Sequence, residues 1–194
     1  METTRRRLLA LLATLPLLSF FSASRRSPRS LLPTPPCDDH DEPTPPLEEG
    51  PFFSPRSPER SNLLEQSMAG TVVVLSGRVL NTKCQPVANV LLDWWQADAE
   101  GHYDNRGFRL RGHQYTDKRG YFQMETVMPG LYPGRTRHFH VKLQAPGQPV
   151  LTTQLFFPDE PQNQRDRIFK AALVMNMRHK GDRDLATYTF VVNA

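Results

Sequence analysis

Between His138 and Leu143 the chain reads His-Phe-His-Val-Lys-Leu, an unbroken alternation of apolar and polar residues. Phe139, Val141 and Leu143 fall on one side and His138, His140 and Lys142 on the other, the pattern of an extended strand with one buried face. At about 3.3 Å of rise per residue, side chains two apart stand roughly 6–7 Å apart at their bases. Two imidazoles so placed can meet on one metal ion. Taken alone, a polar strand face that happens to carry histidine is the plainer reading, because so short a motif needs context.

Other stretches share the strand character. Thr71 to Leu80 is long and β-branched, with Gly77 expected to mark a bend or bulge. Val87–Gln96, Gln114–Thr116, Gly120–Met124, Leu151–Phe157 and Thr187–Val192 also read as strands, separated by turn signals such as Asp98-Ala99-Glu100-Gly101 and Pro129-Gly130. Helical spacing occurs over Asn163–Val174, with Ile168, Phe169 and Leu173 on one side, and a few helical residues are expected near Asn62–Gln66. Short strands at this spacing predict an all-β fold, an antiparallel β-sandwich with one short helix in the C-terminal region. A chain of 194 residues supports one such domain, expected over 69–194.

The first third differs. More than half of the eighteen prolines lie between Ser27 and Pro58, so residues 25–68 are expected to form an extended arm. Phe52 and Phe53 would be wasted on a free linker, and they predict that part of this arm lies along the domain. Residues 1–24 open with Arg5-Arg6-Arg7-Leu8-Leu9, continue with a short apolar run broken by Pro16, and end in small residues. This is the pattern of an export leader of the twin-arginine type rather than a membrane span; a Sec leader is the alternative. The expected location is therefore periplasmic or extracellular, with no membrane attachment after leader removal. Cys37 and Cys84 could then pair across a long loop, or stand as two unrelated thiols. A formal charge of only +4, with Arg106, Arg109 and Arg111 read as lining a loop, leaves no basic footprint for nucleic acid.

Four stretches carry the chemistry: Asp93-Trp94-Trp95-Gln96-Ala97-Asp98-Ala99-Glu100-Gly101-His102-Tyr103-Asp104, Pro129-Gly130-Leu131-Tyr132-Pro133, Arg135-Thr136-Arg137-His138-Phe139-His140 and Leu151-Thr152-Thr153-Gln154. In this order and spacing they resemble the intradiol ring-cleavage dioxygenases, non-haem iron(III) enzymes that open catechols between their two hydroxyls. The resemblance covers about Glu49 to Phe157, and the short spacing between Tyr132 and His138 resembles the exported, single-chain branch. It implies a β-sandwich with the iron at one end between the sheets.

By the same resemblance, Fe(3+) would be held by Tyr103, Tyr132, His138 and His140. Two phenolates and two neutral imidazoles suit a hard trivalent cation, and a phenol beside such a charge ionises. Arg135 would lie over the substrate ring and stabilise charge on it, Gln154 would be a polar neighbour of that ring, and Arg137 would point outward. Trp94 and Trp95 read as core. The resemblance implies a small aromatic diol and O₂ as reactants, displacement of Tyr132 by the diol, and a cis,cis-muconate-type diacid as product. A different class also fits parts of the pattern. Gly77-Arg78-Val79, Asp117–Phe122 and Pro129–Tyr132 resemble the small β-sandwich modules of secreted carbohydrate-handling proteins, which bind carbohydrate or protein without catalysis. Such a module needs none of His138, His140 or Arg135. The choice of catechol and a homodimer formed through the arm stay open.

Overall fold

The structure, a computed structural model, describes residues 42–194. The expected leader over 1–24, the first part of the arm and Cys37 lie outside the described residues. Cys84 is not a free thiol. No helix among the described residues is long and apolar enough to cross a membrane.

Eight strands build two four-stranded sheets: β1 (Val72–Asn81), β2 (Leu91–Trp95), β3 (Arg111–Tyr115), β4 (Tyr121–Val127), β5 (His138–Gln144), β6 (Leu151–Phe156), β7 (Asn176–Lys180) and β8 (Arg183–Val192). One sheet runs β4-β1-β8-β7 and the other β3-β2-β5-β6. The expected β-sandwich is therefore present, with one refinement: β1 and β8 pair in parallel. They are the first and last strands, so the long excursion that a parallel pair requires is the whole domain between them. The alternation in β5 works as the sequence implied. Phe139, Val141 and Leu143 join Trp94, Phe122, Met124 and Phe190 in the buried core between the sheets, where Trp94 meets Phe122 and Phe190 across the gap.

Three local expectations need correction. Gly77 makes no bulge; β1 keeps continuous register through it. A Cβ there would lie 1.8 Å from the Tyr188 carbonyl and 2.9 Å from the Phe122 ring, so the glycine serves close packing. The helical spacing over 163–174 yields only two 3-10 turns, Pro161–Gln164 and Ala171–Leu173. Between them Asp166 turns its carboxylate onto Arg135 and the Thr136 N–H instead of leaving the backbone to close on itself. Near Asn62–Gln66 no helix forms: Asn62 bridges to Glu125, whose carbonyl takes the Leu63 N–H, and a turn at Gln66 follows. The strand β7 was not anticipated; its sequence Asn-Met-Arg-His-Lys has one apolar residue in five.

Residues 44–63 form a strap. Thr44 exchanges hydrogen bonds with Val191 of β8, and Leu47 N–H donates to Thr152 of the edge strand β6. The strap then crosses the outer face of the β3-β2-β5-β6 sheet. It pairs with the edge strand β3 through Arg60 and His113, and with the edge strand β4 through Leu63 and Glu125. Leu63 is fully buried in the core. Leu63→Ala is expected to lower the unfolding free energy by about 2–5 kcal/mol, read as a lower urea midpoint at unchanged slope.

Candidate metal centre

Because Phe139 and Val141 face the core, His138 and His140 face away from it, onto the outer surface of their sheet. Register extends this into a row across four strands: Arg111 opposes Trp95, Trp95 opposes His140, and His140 opposes Gln154. All four are buried, because the strap and two loops cover them. The centre thus lies outside the sandwich, on one sheet, and not between the sheets as the resemblance implied. Arg111 is a buried strand residue and not part of a loop.

The first covering loop runs from Gln96 to Leu110 and carries Tyr103. Two aspartates fold it. Asp98 Oδ1 accepts the N–H groups of Glu100 and His102, and Asp98 Oδ2 accepts Arg109. Asp104 accepts the N–H groups of Arg106, Gly107 and Arg109, which hold its carboxyl down at about 2. Arg111 donates two bonds to the Asp104 carbonyl. The second loop, Pro129–Arg135, locks onto the first where Gly130 N–H meets the Asp98 carbonyl at 2.6 Å. Gly101 is essential there: at φ +87 any Cβ would sit 2.3 Å from the Leu131 carbonyl. This interlock sets the rings of Tyr103 and Tyr132 edge to face at 6.1 Å.

Three donor atoms converge. His138 Nε2 and His140 Nε2 are 3.0 Å apart, and Tyr103 Oη lies 3.3 Å from the first and 3.1 Å from the second. Two ligands about 2.1 Å from one metal and at right angles to each other lie about 3.0 Å apart, so these spacings fit three adjacent corners of a coordination shell. His138 Nδ1 makes a 2.6 Å contact with the Thr136 carbonyl, which fixes the N–H there and leaves Nε2 with its lone pair toward the centre. His140 Nδ1 has no partner among the described residues, and Nε2 is the nitrogen of that ring aimed at the other two donors. A cation between the three atoms would use all three lone pairs at once. The donor set fits a metal.

Tyr132 is half-buried beside this trio, and among the described residues its hydroxyl has no hydrogen-bond partner. The structure therefore brings together Tyr103, His138 and His140, with Tyr132 one ring away. Burial pushes the Tyr103 phenol well up, against the lowering pull of Arg135. Burial, reinforced by the Arg135 charge, depresses His138 to about 4, and burial with the His138 charge takes His140 well below the ordinary value. Folded values below unfolded ones mean that the unfolded chain takes up protons first. Stability of the metal-free protein is thus full above about pH 6.5 and falls as pH drops through that range, by about 1.4 kcal/mol per pH unit for each histidine. Urea unfolding of chelator-treated protein between pH 7.5 and 5 checks this.

Arg135 is pinned: Nε donates to Asp166 at 2.8 Å and Nη2 to Gln154 Oε1 at 2.6 Å. Gln154 in turn donates to the Glu48 carbonyl of the strap. Arg137 does not point freely outward. Its Nη1 reaches the Pro129 carbonyl at 2.5 Å, and its Nε lies 2.6 Å from Glu160 as an ionic contact whose N–H points elsewhere. Trp94 is core as expected, whereas Trp95 stacks on His140 at 4.7 Å and 11°. Phe52 of the strap stacks on Tyr103 at 4.4 Å and meets Tyr132 edge-on. Asp166 and Arg111 are partners of the site that the sequence did not single out. Nothing in the spacing marks Asp166, which acts from a segment of irregular backbone.

This geometry can be set beside known proteins. The family model described as Dioxygenase matches residues 48–193. The chain belongs to the intradiol ring-cleavage dioxygenase family. It is similar to the hydroxyquinol 1,2-dioxygenase of Rhizobium sp. (strain MTP-10005), with 30% identity over 166 residues, covering 71% of this chain and 56% of that protein. The protocatechuate 3,4-dioxygenase beta chain of Burkholderia cepacia is 33% identical over 120 residues, 52% of this chain and 51% of that one. This family member therefore spans about half the length of the curated relatives it matches. Among solved structures, the dioxygenase domain of a dioxygenase–carbohydrate-binding fusion from Streptomyces sp. SirexAA-E superposes at TM-score 0.77 with 53% identity, covering 78% of this chain and 99% of that one.

Proposed function

We propose that this chain is a non-haem iron(III) enzyme that cleaves a catechol-type ring between its two hydroxyls, adding both atoms of O₂ to give a cis,cis-muconate-type diacid. The observation that carries the reading is the convergence of Tyr103 Oη, His138 Nε2 and His140 Nε2 beside a pinned Arg135. Family membership supports it, as do relatives named for hydroxyquinol, protocatechuate and catechol. Held by Tyr103, Tyr132, His138 and His140, ferric iron would supply Lewis-acid activation of a bound diol, so that the electrons for O₂ come from the diol itself.

The chain's own groups have distinct tasks. His138 and His140 are kept neutral by burial and so remain donors at working pH. Tyr132 lines a cavity of about 370 Å³ together with Arg135 and Arg165, which gives a diol room to take its place in the donor set. The ring of Phe52 roofs Tyr103 and keeps bulk water off it. Arg135 places a fixed positive charge beside the ring, where negative charge develops as oxygen attacks. The arginine-rich apolar start of the chain supports export as its setting.

The test is metal analysis of the purified protein together with O₂ uptake over a panel of catechols, with product mass read for the gain of two oxygen atoms. Stoichiometric iron and uptake with at least one simple catechol are expected. A colourless protein holding zinc and consuming no O₂ would return the chain to a non-catalytic binding module.

A further inference from the structure

The stretch 160–168 reaches three consecutive residues of the segment that leads into β5. Glu160 lies 2.6 Å from Arg137 Nε, Asn163 Oδ1 accepts from Thr136 Oγ1 at 2.6 Å, and Asp166 Oδ2 accepts both Arg135 Nε at 2.8 Å and Thr136 N–H at 2.9 Å. The Asp166 side chain is only 2% exposed, and its other oxygen takes the Ile168 N–H. Asn163 is anchored on the Phe157 carbonyl, and Phe169 packs on Phe156. This part of the clamp is tied to the end of β6.

We propose that Asp166 is a positioning residue of the centre, a single buried carboxylate that sets both the guanidinium of Arg135 and the imidazole of His138. It is not one of the donor trio, and although it lines the same cavity as Arg135 its side chain is only 2% exposed, with both oxygens taken. Its effect on Arg135 is direct. With Nε on Asp166 and Nη2 on Gln154, two bonds fix the plane of the guanidinium, and Nη1 remains the arm without a hydrogen bond among the described residues. Its effect on His138 passes through Thr136, a fully buried residue whose N–H goes to Asp166 and whose carbonyl meets His138 Nδ1. One group thereby ties the charge beside the ring to a candidate metal donor, so the two cannot drift apart. What the positioned groups accomplish rests on the dioxygenase reading above.

The test compares Asp166→Asn, which keeps the volume and removes the charge, with wild type and with Arg135→Leu. Iron content should fall by about twofold as the Thr136 carbonyl on His138 loosens, with the visible band still present and KM for catechol within about threefold. The loss should fall on kcat, about 10²-fold, the scale of a small misplacement of a reacting group. Per bound iron, the double variant Asp166→Asn/Arg135→Leu should be no slower than Arg135→Leu alone, because in turnover both act through one guanidinium. In metal-free ¹⁵N-labelled protein, the Arg135 Nε–H signal should lose its slow solvent exchange in Asp166→Asn. Should Asp166→Asn fail to fold, Arg135→Lys carries the test: it keeps a positive charge without the fork and should lose nearly as much kcat. Wild-type kcat in either variant, full additivity with Arg135→Leu, or an unchanged Nε–H signal overturns the proposal. If wild type itself cleaves no diol, the dioxygenase reading fails, and the Nε–H exchange then decides for Asp166 by itself.

Discussion

Replacing Arg135 with leucine is expected to leave iron content, colour and catechol binding in place while lowering kcat by about 10²–10³, or roughly 3–4 kcal/mol. Arg135 is not one of the converging donors, so the centre should form without it. Its two anchored bonds hold it ready, so no reorganisation is needed when charge appears on the ring. Iron analysis, the spectrum with catechol added, and O₂ uptake read the three quantities separately. Arg137→Leu is the comparison, and it will not be silent. It gives up contacts to Pro129 and Glu160 that steady the second loop, so a loss within about tenfold is expected, mostly in stability. A variant order with Arg137 costly and Arg135 neutral would contradict this placement.

The larger effect belongs to the donors. His140→Ala and Tyr103→Phe each remove one of three converging atoms, and activity should fall to background, a loss of more than about 10³-fold. The two should differ in kind. His140→Ala also opens space beneath Trp95, which stacks on that ring, so it should lose metal outright. Tyr103→Phe keeps the ring packed on Phe52 and should retain part of the metal, while the visible band that phenolate gives on ferric iron weakens or shifts. Tyr115→Phe, an exposed residue of β3, should leave the band alone. Metal content by mass spectrometry and the absorption spectrum distinguish these outcomes. Full activity in either donor variant would sink the assignment.

Much of this arrangement was legible in the sequence because it is local. The alternation from His138 to Leu143 fixed which side chains share a face, and β5 runs one residue beyond it, to Gln144. What local periodicity could not say is which face meets the other sheet. That is decided by the apolar set, Phe139, Val141 and Leu143, finding Trp94 and its partners. The histidines then go outward, and the centre with them. Arg137 was misplaced for a similar reason: its partners, the Pro129 carbonyl and Glu160, lie on separate segments. Asp166 sits in a run whose helical spacing is real but unused, because the tertiary bonds to Arg135 and Thr136 outcompete the helix. Parallel pairing of β1 with β8 is likewise a property of the two ends of the domain together.

The strap has a consequence for the order of assembly. Thr44 waits on Val191, its hydrogen-bond partner 147 residues later in the chain. Leu47 likewise needs Thr152 of β6. On a growing polypeptide the strap is thus made early and docked late, after nearly the whole domain has emerged. Closing so long a loop slows the final step, while the strand edges that the strap covers, on β6, β3 and β4, stand exposed to other chains. The roof that brings Phe52 over Tyr103 closes only then. If the centre takes ferric iron as proposed, a nascent or truncated chain would offer it an unroofed pair of histidines, and the connectivity of the strap would then set the timing of metal uptake.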